Sequence, residues 1–156
     1  MMRVSAILLV GIGLVAAGCG DSFDVRRTAG LTEFEDDPGG EYDYRATTAD
    51  VVVLGVRELD NDPQGTLDFW TQAVRNRVRD LGGYELVREL GVRAASGQEG
   101  KQLQFAREHE GRPYVYWVTL FVTDDTIYVL EAGGVRESWQ RDERRIREAI
   151  AGFRVD

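Results

Sequence analysis

Residues 84–132 read YELVRELGVRAASGQEGKQLQFAREHEGRPYVYWVTLFVTDDTIYVLEA, and this stretch decides the fold. Four strand-like runs, Tyr84–Ala95, Lys101–Glu108, Tyr114–Thr123 and Thr126–Ala132, alternate with turn signals. The signals are Ser96-Gly97-Gln98-Glu99-Gly100, Glu110-Gly111-Arg112-Pro113 and Asp124-Asp125, and Gly133-Gly134 is expected to end the fourth run. Loops this short join antiparallel neighbours, so the four runs predict a meander. The run Tyr114–Val122 is apolar at odd and even positions alike. It should therefore be a central strand covered on both faces.

Working outward, Leu67, Trp70, Val74, Val78 and Leu81 recur at intervals of three and four. That is one face of an amphipathic helix, with Gly82-Gly83 closing it. Asp62-Pro63 reads as its start, Asp62 as the cap and Pro63 in the first helical position. Before it, Tyr42–Thr48 and Val51–Glu58 are strand-like around the turn Thr48-Ala49-Asp50. After the meander a second helix is expected from Arg136 to Phe153, with Trp139, Ile146, Ile150 and Phe153 as its apolar stripe. The order β-β-α-β-β-β-β-α predicts an α+β fold: an antiparallel meander flanked by helices in an α/β/α-type sandwich. The expected core is Val53, Trp70, Val74, Leu86, Phe105, Trp117, Phe121, Val129, Ile146 and Phe153.

The chain has 156 residues, 43% hydrophobic and 29% charged, with net charge −8. Length and composition suit one compact domain. The acidic balance disfavours nucleic acid as a partner. One histidine, His109, and one cysteine, Cys19, exclude a disulfide framework and a zinc cluster within the domain. No cofactor is expected.

The N-terminus reads Met1-Met2-Arg3, then an apolar run of 14 residues from Val4 to Ala17. A positive charge before a short apolar run is the layout of a secretory signal, and a spanning helix needs about 20 residues. The run ends Val15-Ala16-Ala17-Gly18-Cys19. Small residues before a cysteine resemble the lipobox of bacterial lipoproteins, although Ala16 stands where that family usually has Leu or Val. The resemblance implies cleavage before Cys19, a diacylglyceryl group on Cys19 and a cell-envelope location. Asp21 lies one place later than an inner-membrane retention signal. This favours outer-membrane over inner-membrane delivery in a host with an outer membrane. Residues 1–18 are then a cleaved signal peptide. Residues 19–41 read as the lipidated cysteine and a flexible acidic tether, broken by Asp36-Asp37-Pro38-Gly39-Gly40. A random coil of that length spans roughly 25 Å. Leu31–Phe34 is an alternative short edge strand. Residues 42–156 form the single globular domain.

The order of elements, the Gly82-Gly83-Tyr84 step, the turn Gly97-Gln98-Glu99-Gly100, the strand Ile127–Ala132 and a helix ending near Phe153 resemble the PsbP-like superfamily over roughly residues 42–155. That superfamily includes an extrinsic photosystem II subunit and a nuclear-import factor that binds the GTPase Ran. The resemblance implies a fold used mostly to bind partners or support complexes, and it carries no catalytic or site residue across.

Asp60, Asp62, Gln64 and Asp68 fall at ligand places of a calcium loop, with Gly65 at its turn. Thr71 occupies the place of the bidentate glutamate and Pro63 is rigid where the loop must wrap, so the simpler reading is an acidic helix start. His109, between Glu108 and Glu110, reads as a solvated turn residue, with no nucleophile or orienting group identifiable beside it. Ser96 has no Gly-x-Ser-x-Gly elbow. Tyr42, Tyr44, Tyr114, Tyr116 and Trp117 either line a ligand groove or pack across strands. Arg45, Arg57, Arg88 and Arg93 form either a basic face or separate ion pairs; Arg88 shares the expected face of Leu86 and Leu90.

These features lead to a membrane-anchored envelope lipoprotein that supports a complex through a protein partner. The alternative is a small-molecule or lipid-binding lipoprotein using a gap between sheet and helix. No catalytic motif points to an enzyme.

Overall fold

Strand alternation and helix periodicity resolve into two apolar layers, one on each face of a single sheet. The computed structural model describes residues 22–35 and 39–156. The signal segment, Cys19 and residues 36–38 of the expected breaker lie outside the described residues. In chain order the elements are β1 (Phe23–Asp24), β2 (Thr32–Glu33), β3 (Tyr44–Thr47), β4 (Val53–Asp60), α1 (Leu67–Gly82), β5 (Glu85–Arg93), β6 (Glu99–His109), β7 (Arg112–Val122), β8 (Thr126–Val135), α2 (Arg136–Ala151) and β9 (Arg154–Val155). Seven strands form one antiparallel sheet in the order β2-β3-β4-β8-β7-β6-β5, and β1 pairs with β9 beside it. The predicted α+β meander with flanking helices is the observed fold.

On β7, Trp117 and Phe121 face α2, while Val118 and Leu120 face α1. The α2 layer joins Val52, Leu54, Val56, Tyr128 and Leu130 to Trp139, Ile146, Ile150 and Phe153. The α1 layer joins Leu103, Phe105, Ile127 and Val129, with Trp70, Val74, Val78 and Leu86 packed against them. Of the expected core, Val53 alone is out of phase with its strand: its neighbours Val52 and Leu54 are fully buried, and Val53 points to the opposite face. Among the described residues no helix is long and apolar enough to cross a membrane.

Four expectations are corrected. First, of the stretch expected as a flexible tether, residues 22–34 lie against the domain. Phe23 stacks on Phe153, Val25 and Leu31 pack on the α2 layer, and Thr32–Glu33 pairs with β3, the edge strand considered as the alternative. Scattered apolar residues in a polar stretch find partners only across the folded chain. Second, α1 starts at Leu67 with Thr66 as its cap, the Thr66 hydroxyl accepting from the Phe69 amide at 3.2 Å. Asp62 is not the cap because Asn61 organises the preceding loop: its Oδ1 accepts from Gly65 N–H at 2.8 Å. Third, β8 runs through Gly133-Gly134 to Val135 and passes directly into α2. These glycines admit close neighbours: a Cβ on Gly133 would lie 3.1 Å from the Val115 carbonyl oxygen, and one on Gly134 3.2 Å from a Val52 methyl. Fourth, a bulge between Leu86 and Arg88 shifts the register of β5. Leu86 faces α1, whereas Arg88 and Leu90 sit opposite Gln104 and Gln102 on the α2 side, so Arg88 does not share the face of Leu86.

Candidate functional site

Seven strands spaced about 4.8 Å apart make a sheet roughly 29 Å wide, and one helix about 10 Å across covers only part of it. On its face α1 lies over β5, β6 and β7. A cavity of about 700 Å³ remains between α1 and the β8–β4 side of the sheet. Its floor is Val118, Leu120, Ile127 and Val129, and Trp70, Val74 and Val78 wall it from α1. Leu59 and Leu81 line it as well and are exposed.

A polar group closes the other wall. Alternation along β8 puts Glu131 on the same face as Ile127 and Val129, with Gly55 of β4 directly opposite it. The Glu131 side chain is 11% exposed. The Tyr116 hydroxyl donates to Glu131 Oε1, Tyr42 bonds to the same carboxylate, and Arg57 Nη2 lies 2.5 Å from Glu131 Oε2. The Tyr42 ring lies over Gly55, where a Cβ would meet ring atoms at 2.4 Å. Arg57 and Arg45 flank that ring at 5.5 and 5.9 Å from its centroid. Beyond Tyr116, Tyr84 packs at 5.3 Å and Arg107 donates to the Gly82 carbonyl at 2.8 Å.

The electrostatics follow from this geometry. Burial, then the Glu131 charge and the hydrogen bond to it, hold the Tyr116 phenol far above its ordinary range. Burial and Glu131 raise Tyr42 in the same way. Burial acts to lower the Arg57 guanidinium, and the Glu131 carboxylate outweighs it. Both phenols therefore stay protonated at neutral pH and act as hydrogen-bond donors to Glu131, while Arg57 supplies the opposite charge. The cluster can recognise hydroxyl and other hydrogen-bonding groups at the edge of an apolar cavity.

Other sequence candidates scatter. Asp60 lines the cavity, Asp62 is exposed, and Gln64 donates to the Asp124 carbonyl at 3.1 Å. Asn61, 5% exposed, fills the loop: it accepts from the Trp70 indole N–H at 2.8 Å and donates to the Thr123 carbonyl at 2.9 Å. Asp68 is in the first turn of α1, and among the described residues no three carboxylate, imidazole or thiol groups converge as metal ligands. His109 is half exposed, 3.9 Å from Glu110, at a turn where Glu110 and Gly111 both have positive φ. Ser96 accepts from Val155 N–H at 2.9 Å. The four strand arginines do not form one basic face. Arg45 and Arg57 lie on β3 and β4, whereas Arg88 and Arg93 lie on β5 at the far edge, where Arg93 pairs with Glu99 at 2.7 Å. Of the aromatic set, Tyr116 lines the cavity and Tyr42 completes its polar wall; Tyr44 and Trp117 pack on the α2 layer. Glu131 was not singled out in the sequence. Its signal was a lone carboxylate closing the apolar run Ile127–Leu130.

No family model and no curated protein matches the chain. Solved structures do. LpqN of Mycobacterium tuberculosis, described as involved in cell envelope biogenesis, is similar at TM-score 0.69 and 10% identity over 85% of this chain and 82% of that one. The cyanobacterial PsbP protein of Synechocystis sp. PCC 6803 is similar at TM-score 0.60 and 13% identity, over 95% and 99%. The Saccharomyces cerevisiae Ran-binding protein Mog1p follows at TM-score 0.53 and 13% identity, over 86% and 90%. At these identities the likeness is one of fold, and it agrees with the PsbP-like architecture expected from the order of elements.

Proposed function

We propose that the chain is a lipid-anchored binding protein of the cell envelope, not an enzyme, and that its sheet–helix cavity holds an amphiphilic small molecule. The observation that carries this reading is the cavity itself. About 700 Å³ is the size of a small-molecule site, with branched apolar side chains on its floor and one polar cluster at its edge. The apolar part of the ligand lies along Val118, Leu120, Ile127 and Val129. Its hydrogen-bonding group meets Arg57, Tyr116 and Glu131. The lipobox-like run before Cys19 supports the anchor. The fold likeness to an envelope-biogenesis protein of Mycobacterium tuberculosis supports the location.

A protein partner is the second reading. It is favoured by the exposed Leu59, Phe69 and Leu81 on and beside the cavity rim.

Native mass spectrometry of the protein purified from its own membranes tests the choice. A retained small amphiphile, lost when Val129→Trp fills the cavity, is the expected result. An empty protein, with one dominant protein partner captured by crosslinking in intact cells, overturns the ligand reading in favour of the second.

A further inference from the structure

We propose that the anchored chain stands on a neutral, zwitterionic lipid surface by one end of its sheet, the end where Ser22, Arg154 and the Ala95–Gln98 turn meet. The inference rests on the reading of Cys19 as the lipid attachment site. That reading with a long tether would let the domain stand off the membrane and take any orientation. The docked N-terminal strand removes the tether. Ser22 is tied down: its carbonyl accepts from the Tyr128 hydroxyl at 3.2 Å and from Asp156 N–H at 3.0 Å. Phe23 and Asp24 pair with Val155 and Arg154. Between Cys19 and Ser22 the sequence has only Gly20 and Asp21, a reach of about 11 Å at full extension. A diacylated cysteine sits at the lipid interface, so Ser22 cannot leave the headgroup region.

The register says which end this is. Asp60 pairs with Thr126, Val122 with Ile127, and Arg93 with Glu99, so these residues share one end of the sheet with Ser22 and Tyr128. The opposite end holds the His109–Arg112 turn and Val135. β6 and β7 each run for 11 residues, so about 35 Å separates the two ends. The cavity runs along the same axis. Leu59, Trp70 and Ile127 line its membrane-near half, and Tyr84, Tyr116 and Glu131 line the half farther away. An amphiphile drawn from the bilayer along its own axis therefore meets the polar cluster with its headgroup and leaves its apolar part toward the lipid.

The charges select the surface. Asp24, Glu99 and Asp156 are matched there by Arg26, Arg93 and Arg154, but Asp60, Asp62, Asp124 and Asp125 add uncompensated carboxylates at the same end. That end fits zwitterionic headgroups and is repelled by anionic ones.

The test uses the full lipidated protein in phosphatidylcholine vesicles carrying headgroup-attached nitroxide lipid. Cys19 is the sole cysteine and its sulfur is consumed by the lipid, so a fluorophore on Arg154→Cys or Arg112→Cys is unique. The Arg154 label should be quenched several-fold more than the Arg112 label, and the difference should shrink when a third of the lipid is anionic. Equal quenching, or stronger quenching at Arg112, overturns the orientation. No response to anionic lipid overturns the choice of a neutral surface. A protein that does not float with the vesicles and keeps Cys19 as a free thiol overturns the anchor reading, and the orientation with it.

Discussion

Phe23 lies against Phe153 with ring centroids 5.7 Å apart and planes 28° from parallel, and Phe153 in turn stacks on Phe121 at 5.4 Å. A residue near the start of the described chain thus covers the end of the α2 core. Phe23→Ala should cost about 1–3 kcal/mol, less than a fully buried phenylalanine because Phe23 is only partly buried. Urea unfolding measures this. An unchanged midpoint means that the N-terminal strand contributes nothing to the fold.

The Glu131 cluster gives a second expectation. Tyr116→Phe removes a donor to a carboxylate that is nearly buried and should cost about 1–3 kcal/mol. Glu131→Gln should cost less, about 1–2 kcal/mol, because Arg57 is 38% exposed and water takes over part of its solvation. On the proposed function both weaken ligand retention more than they weaken the fold, as native mass spectrometry alongside thermal melts would show.

Alkaline pH should act through the same phenols. Tyr116 and Tyr42 are raised in the folded protein above the ordinary phenol value of about 10. Above that value the unfolded chain releases these protons and the folded chain keeps them, so the folded state binds more protons and stability falls as pH rises. The contribution is fully present below about pH 10. Melting temperatures between pH 8 and 11.5 should fall for the wild type, and the slope should flatten for Tyr116→Phe. Equal slopes would mean that Tyr116 titrates normally.

Gly55 is required by the Tyr42 ring. A methyl group there would meet ring atoms at 2.4 and 2.5 Å, so Gly55→Ala must displace Tyr42 from between Arg45 and Arg57. The expected cost is about 1–3 kcal/mol. Tyr42→Ala in the same background should relieve most of it, and a double-mutant cycle by denaturant unfolding reads this coupling.

Asn61 holds the loop at residues 60–68 together. Asn61→Ala leaves the Trp70 indole and Gly65 N–H without their acceptor and should cost about 2–4 kcal/mol. Millimolar calcium should leave the melting temperature of the wild type unchanged, because Gln64 is turned to the Asp124 carbonyl and Asn61 occupies the loop interior. A rise with calcium would restore Asp60, Asp62 and Asp68 as ligands.

The sequence by itself determined the meander, both helices and the α/β/α sandwich. Each rests on a local signal: short strand-like runs set between turn residues for the meander, and an apolar residue every third or fourth position on α1 and α2. Turn chemistry at Gly97 and at Glu110-Gly111 is equally local, and both glycines have positive φ. The rest was decided by contacts far apart in the chain. Phe23 becomes a core residue only when Phe153 and Tyr128 are in place. The bulge after Leu86 sends Arg88 to the other face, a change of register that no side-chain pattern within β5 reports. Glu131 becomes part of a site because β4 puts Arg57 and Gly55 beside it while β7 brings Tyr116 from the other side. A single carboxylate in an apolar strand is silent about its partners, since pairing across a sheet depends on strand order and register, and both are properties of the assembled fold.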